Sequence, residues 1–185
     1  NTHSLQEENG EQKLAWLCER IVKERPDILA LQEVNQSMDA PAVRPAQVAG
    51  LFPCPENTVT LRRDNYALRL ARSLEQAGLD VSFTWQASKI GYGRYDEGTA
   101  LFAIGHRIAG AEAFFISGCT EYENWKNRRV LGIRTDRGGD WFYTVHMGWW
   151  SDEAEPFAAQ WDRLEERLAP RRRDGRVWLL GEFNS

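Results

Sequence analysis

Val177-Trp178-Leu179-Leu180-Gly181-Glu182-Phe183-Asn184-Ser185 closes the chain, and its reading decides the fold. Four large apolar residues in a row, opening on a β-branched valine, predict a short strand buried on both faces. Gly181 breaks the run, and a carboxylate and a carboxamide follow at alternate positions. Side chains alternate across a strand, so Glu182 and Asn184 are expected on the same side at its carboxyl end. Two readings fit this stretch alone: the rim of a hydrolytic site, or a strand leaving the core through a polar turn.

The same design recurs upstream. Asp27 to Val34 is an apolar run interrupted near its end by Gln32-Glu33. Before it, Leu14, Leu17, Cys18, Ile21 and Val22 recur at helical spacing, with Gly10 and Pro26 as boundaries. Asn35 to Thr60 carries Pro41, Pro45, Pro53 and Pro55 with little periodicity, which predicts an irregular surface excursion. A second helix is expected over Asn65 to Ala77, stopped by Gly78. Val81 to Gln86 and Thr99 to Ile104 read as strands, and Lys89 to Gly98 as a glycine- and tyrosine-rich loop. Phe114 to Ile116 is short and apolar. Arg129 to Thr135 and Asp140 to His146 read as a hairpin across Asp136-Arg137-Gly138-Gly139. Phe157 to Leu168 is a third helix, and Pro170 to Gly175 a basic loop. Interspersed helices and hairpin-linked strands predict a mixed-sheet α/β protein.

The chain has 185 residues, enough for one sizeable core. A formal net charge of -4 supplies no global basic field for a nucleic-acid backbone, although a local basic cleft remains compatible with it. Cys18, Cys54 and Cys119 are widely separated and odd in number, which points to reduced thiols in a cytoplasmic protein. No apolar run approaches the roughly 20 residues that span a bilayer, and no signal peptide is visible. The chain opens on Asn1 and stops one residue past a candidate site motif, so the expectation is a single domain over 1–185 that is a piece of a longer protein.

Five polar clusters fall at strand ends or in the loops that follow: Asn1-Thr2-His3, Gln32-Glu33, Asp96-Glu97-Gly98, His146 and Glu182-Phe183-Asn184. Alone, each reads as a solvated turn or a structural histidine. Together they fit the rule that open α/β sheets bind ligands outside the carboxyl ends of their strands. The set suits phosphoester hydrolysis. A hard divalent cation wants carboxylate oxygen, for which Glu33 is the best candidate. Phosphoryl oxygens want positive charge, available from Arg128 and Arg129, and proton transfer wants a group such as His146.

The ordered set Asn1-Thr2-His3, Leu31-Gln32-Glu33-Val34, Tyr95-Asp96-Glu97-Gly98, Asn127-Arg128-Arg129-Val130, Val145-His146-Met147 and Leu179 to Asn184 resembles the endonuclease/exonuclease/phosphatase (DNase I-like) superfamily. The resemblance runs from residue 1 to 185. Lys89 to Gly98 and His146-Met147-Gly148-Trp149-Trp150 further resemble a bacterial branch that includes maltose 6'-phosphate phosphatase. The resemblance implies a four-layer α/β/β/α sandwich of two mixed sheets flanked by helices, truncated at both ends. It implies that Asn1 sits by metal and phosphate and that Glu33 binds Mg²⁺ or Mn²⁺. Glu97 would hydrogen-bond His146, which would assist phosphate binding or proton transfer. One of Arg128 and Arg129 would face the phosphate and the other would be a surface charge. Asn184 would contact a phosphate oxygen, and Glu182 would orient or activate the attacking water.

Two departures stand out. The family pattern Gly-Asp-Phe-Asn is here Gly181-Glu182-Phe183-Asn184, and an extra methylene moves the carboxylate by roughly 1 Å, a displacement able to cost about a hundredfold in rate. The family's later Ser-Asp-His motif has no counterpart, so the piece is expected to be inactive or impaired even if its parent is an enzyme. The leading expectation is a metal-dependent phosphatase for a small phosphorylated substrate such as a sugar phosphate. A nuclease of the same fold is the alternative, favoured by the run Arg171-Arg172-Arg173, and a non-catalytic binding homologue is a third, favoured by Glu182. Eight tryptophans must largely serve the core or a cleft wall.

Overall fold

The computed structural model describes residues 1–184, and its element order bears out the α/β reading. Helix α1 (Gly10–Glu24) ends at Arg25, whose left-handed backbone turns the chain just before Pro26. Strand β1 (Ile28–Ser37) follows, and then the proline-rich excursion. Helix α2 (Tyr66–Gln76) starts where the Asn65 side chain accepts from the Leu68 amide, an N-cap. Strands β2 (Val81–Gly91), β3 (Tyr95–Ile104), β4 (Ile108–Phe115), β5 (Arg129–Thr135) and β6 (Trp141–His146) come next. Helices α3 (Phe157–Leu168) and α4 (Arg171–Asp174) precede β7 (Val177–Glu182).

The strands form two sheets. One is antiparallel in the order β1-β3-β2, and the other runs β4-β5-β6-β7 with β7 parallel to β6. Leu14, Cys18 and Ile21 of α1 and Leu68, Leu70 and Leu74 of α2 pack on the first sheet. Leu164 and Leu168 of α3 pack on the second. Leu101, Ala103, Leu131 and Ile133 fill the seam between the sheets. The layers are therefore α/β/β/α, as two amphipathic sheets require when each buries its outer face under helices.

Four local expectations change. Lys89 to Gly98 is not a loop: β2 and β3 run through it and turn at Tyr92-Gly93, with Gly91 opposite Tyr95. Its glycines and tyrosines mark a hairpin, and the polar residues around them pair across strands. The excursion is more than surface cover, because Phe83 on the outer edge of β2 exchanges backbone hydrogen bonds with Gly50 and Phe52. Pro170 to Gly175 contains the short α4. Finally, β7 is not buried on both faces: among the described residues it pairs with β6 alone, and Trp178 is 46% exposed. A continuous apolar run looks the same whether a strand is central or marginal.

Candidate active site

The site sits where the two sheets present neighbouring strand ends. Its centre is Glu33, which β1 delivers through an irregularity: the pairing with β3 slips between Gln32 and Val34, and Glu33 takes φ 54°. A non-glycine residue in this region inside a strand is a bulge that re-aims a side chain. Its neighbours hold it. Thr2 Oγ1 donates to the carbonyls of Gln32 and Glu33 at 2.9 and 3.1 Å, and the Thr2 amide donates to the Gln32 carbonyl at 2.9 Å. Gln32 Nε2 crosses to the second sheet and donates to Thr144 Oγ1 at 2.8 Å.

The second sheet supplies His146 from the end of β6 and Glu182 from the parallel end of β7, which are register partners. Glu33, His146 and Glu182 each offer an atom within 4.8 Å of the others. Asn1 Nδ2 bridges the two carboxylates, donating to Glu33 Oε1 at 2.7 Å and to Glu182 Oε2 at 2.6 Å. The glutamate at 182 therefore reaches the cluster, and its Oε2 also lies 3.7 Å from His146 Nε2. Glu33 Oε2 is buried without a hydrogen-bond partner, a costly state for a carboxylate oxygen that a hard cation would relieve. His3 Nε2 lies 3.7 Å from the same atom but is half exposed.

Cations line the adjoining cleft. Lys89, Arg128 and Arg129 share it with Glu97, Thr99 and His146. Burial pushes the Lys89 ammonium below its usual range, helped by Arg128 and opposed by Glu97. Burial lowers both arginines as well. Arg128 Nε and Arg129 Nε are buried without partners, as are the hydroxyls of Ser88 and Thr99. Buried donors of positive charge with spare hydrogen-bonding capacity are what an anionic phosphoryl group needs. His146 is pulled down to about 3, first by burial and then by the charges of Arg128 and Lys89. The imidazole is thus neutral at ordinary pH, the form able to ligate a metal or accept a proton.

Asn1, Glu33, Glu97, Arg128, Arg129, His146 and Glu182, singled out from sequence, line this cluster and its cleft, with three changes of partner among the candidates. Glu97 does not hydrogen-bond His146; its Oε1 lies 3.2 Å from Lys89 Nζ, because the extended β2–β3 hairpin sets the two residues opposite each other. Neither arginine is a surface charge: Arg129 donates to the Glu56 carbonyl at 2.8 Å and lies over the Phe115 ring, while Arg128 is buried. Asn184 donates to the Met147 carbonyl at 2.9 Å. Thr2, Gln32 and Lys89 were given no role in the sequence reading. Gln32 and Thr2 were visible as neighbours of Glu33 and Asn1, whereas Lys89 was hidden by reading its segment as a loop. The three cysteines are free, as expected. No helix among the described residues is long and apolar enough to cross a membrane.

No protein-family model matches the sequence, and none of the curated proteins compared with it does. Solved structures do. An endonuclease/exonuclease/phosphatase family protein from Leptotrichia buccalis C-1013-b superposes with TM-score 0.83 at 26% identity, covering 100% of this chain and 64% of its own. The human Nocturnin catalytic domain, solved with a bound sulfate anion, aligns with TM-score 0.60 and 16% identity over 95% of this chain and 57% of its own. TDP2 from D. rerio, complexed with a single-strand DNA product, aligns with TM-score 0.61 and 14% identity over 100% and 58%. The chain thus spans about three fifths of these proteins. Its structural neighbours are endonuclease/exonuclease/phosphatase proteins, and its fold is DNase I-like.

Proposed function

We propose that the chain carries the site of a metal-dependent phosphoester hydrolase, a phosphatase acting on a small phosphorylated substrate such as a sugar phosphate. One observation carries this reading: two carboxylates and a neutral imidazole converge beside a cleft lined by three cations, of which Arg128 is buried and Lys89 and Arg129 are partly so. Glu33, Glu182 and His146, with Asn1 beside them, would hold Mg²⁺ or Mn²⁺; the orphaned Glu33 oxygen fits such a hard ion. A bound divalent ion supplies charge neutralisation for phosphoryl oxygens. Lys89, Arg128 and Arg129 bind the remaining phosphoryl charge. Glu97 fixes the Lys89 ammonium, and burial keeps the His146 imidazole in the neutral form that ligates a metal or hydrogen-bonds the attacking water. Glu182 orients that water.

The nuclease reading draws support from the neighbour solved with a single-strand DNA product. Against it, the arginine run lends no basic groove. Arg171 pairs with Glu112, and Arg172 makes a two-pronged pair with Glu165 at 2.5 and 2.6 Å. The non-catalytic reading rests on Glu182 standing where the family pattern has aspartate; the contact of its carboxylate with Asn1 within the cluster speaks against it. Assay of the full-length parent with Mg²⁺ against a phosphosugar panel and plasmid DNA separates the first two: phosphate release from sugars is expected, and cleavage of DNA alone overturns the phosphatase assignment.

A further inference from the structure

Two tryptophans meet in the open beside the cleft. Trp125 and Trp149 are 49% and 56% exposed, and their ring centroids lie 5.7 Å apart with planes inclined by 53°. Their positions are tied to the site. The Trp125 carbonyl accepts from Lys89 Nζ at 3.1 Å and from Arg128 Nη1 at 2.9 Å, so two of the cleft's cations are anchored on its backbone. Trp149 stands three residues after His146. The loops bearing the two rings are braced to each other. Glu155 accepts from the amides of Gly118 and Cys119 at 2.9 and 2.7 Å, and Lys126 pairs with Asp152 at 2.8 Å. A ring pair held in place before a ligand arrives loses little ordering entropy on binding.

The charge around this pair is selective. Glu121, Glu123 and Glu153 on the same loops are exposed and form no ion pair among the described residues, while Lys126, whose Nζ lies 5.4 Å from the Trp125 ring centroid, is paired with Asp152. A polyanion leaving the cleft along these loops meets uncompensated negative charge; a neutral group does not. The inclination of the rings also matters. The two rings touch each other edge to face, so each offers an outward face on which the C–H-bearing side of a saturated ring can pack.

Building on the phosphoester reading above, we propose that Trp125 and Trp149 form the subsite for the non-phosphate part of the substrate, a single uncharged carbohydrate ring, and that the acidic loops turn polynucleotides away. Calorimetric titration in the presence of EDTA, which leaves esters intact, tests this with glucose 6-phosphate, glycerol 3-phosphate, adenosine 5'-monophosphate, inorganic phosphate and a ten-nucleotide single strand. Glucose 6-phosphate is expected to bind about tenfold tighter than ringless glycerol 3-phosphate, in line with the worth of one aromatic stack. Trp125→Ala and Trp149→Ala should each erase most of that preference, and Trp149→Phe should keep much of it. Inorganic phosphate should move less than about twofold in all three variants. Glu121→Gln combined with Glu123→Gln should strengthen oligonucleotide binding and leave glucose 6-phosphate unchanged. Equal affinity for the ringed and ringless esters, an undiminished preference in Trp125→Ala, or tighter binding of the nucleotide than of the sugar ester overturns the subsite. Arg128→Gln separates the two levels. If it weakens inorganic phosphate while the sugar ester gains nothing over glycerol 3-phosphate, the subsite alone falls; if inorganic phosphate binding ignores it, the phosphoester reading falls and the subsite with it.

Discussion

Glu33 holds its carboxylate on a backbone at φ 54° within a strand, a conformation that costs an L-residue roughly 1–3 kcal/mol. Thr2 clamps the Gln32 and Glu33 carbonyls, and the Gln32 side chain ties the strand to the Thr144 hydroxyl, so the strain persists where the side chain is needed. Glu33→Gly removes both the strain and the unpartnered carboxylate oxygen, and its thermal midpoint is expected to be no lower than the parent's, with metal binding lost. A clear drop in midpoint would mean that the bulge is not strained. His146 offers a second test at this scale. Its folded value of about 3 lies below the ordinary 6.5, so the unfolded chain takes up a proton first as pH falls. The stability due to its neutral form is complete above about pH 6.5 and is lost progressively down to about pH 3. In His146→Gln the decline of urea midpoint across that window should be shallower than in the parent. An unchanged slope would put the acid sensitivity elsewhere.

At the scale of elements, the β2–β3 hairpin sets the cleft. It places Lys89 opposite Glu97 and brings Gly98 so close to β2 that a Cβ there would collide with the Gln86 carbonyl. Backbone against backbone cannot yield cheaply. Gly98→Ala is therefore expected to lose about 3 kcal/mol, read from the urea midpoint, and to loosen phosphate binding through Lys89. A loss under about 1 kcal/mol would show that the strands part easily here. The same hairpin marks a limit of sequence reading. The helices were legible from their apolar spacing and from Asn65, Gly78 and Pro26, and the β5–β6 hairpin from its turn. Lys89 to Gly98 was not, because glycine and tyrosine mark a turn and a strand alike and only pairing across the sheet tells them apart. For the same reason β7 read as central, since Val177 to Leu180 carries no sign of how many neighbours it has. The candidate site residues were named from the ordered motifs, and the fold brings Asn1, Glu33, His146 and Glu182 together. Their partners were not legible there: Glu97 with Lys89, and Arg128 with the Trp125 carbonyl, depend on which strands and loops meet.

The whole molecule builds its site from both sheets, Glu33 from one and His146 and Glu182 from the other. A metal bound there bridges the sandwich and stabilises the folded state by mass action, about 2.7 kcal/mol at a hundred times its dissociation constant. Mn²⁺ or Mg²⁺ should raise the melting temperature of the parent, and Glu33→Gln should abolish the shift; an equal shift in that variant would place the ion elsewhere. The bond from Gln32 to Thr144 spans 112 positions of the chain, and Asn1 meets Glu182 across 181. Contacts between such distant positions are slow to form, because a large loop must close before they return any energy. The antiparallel sheet and its two helices, by contrast, draw on residues 10–104 alone. During refolding from urea, far-ultraviolet ellipticity should then recover ahead of Mn²⁺ affinity, with Gln32→Ala widening the delay. The Glu33, His146 and Glu182 cluster is in this sense a clock: it reports the last docking event of the chain, and it stays silent in any partly assembled form.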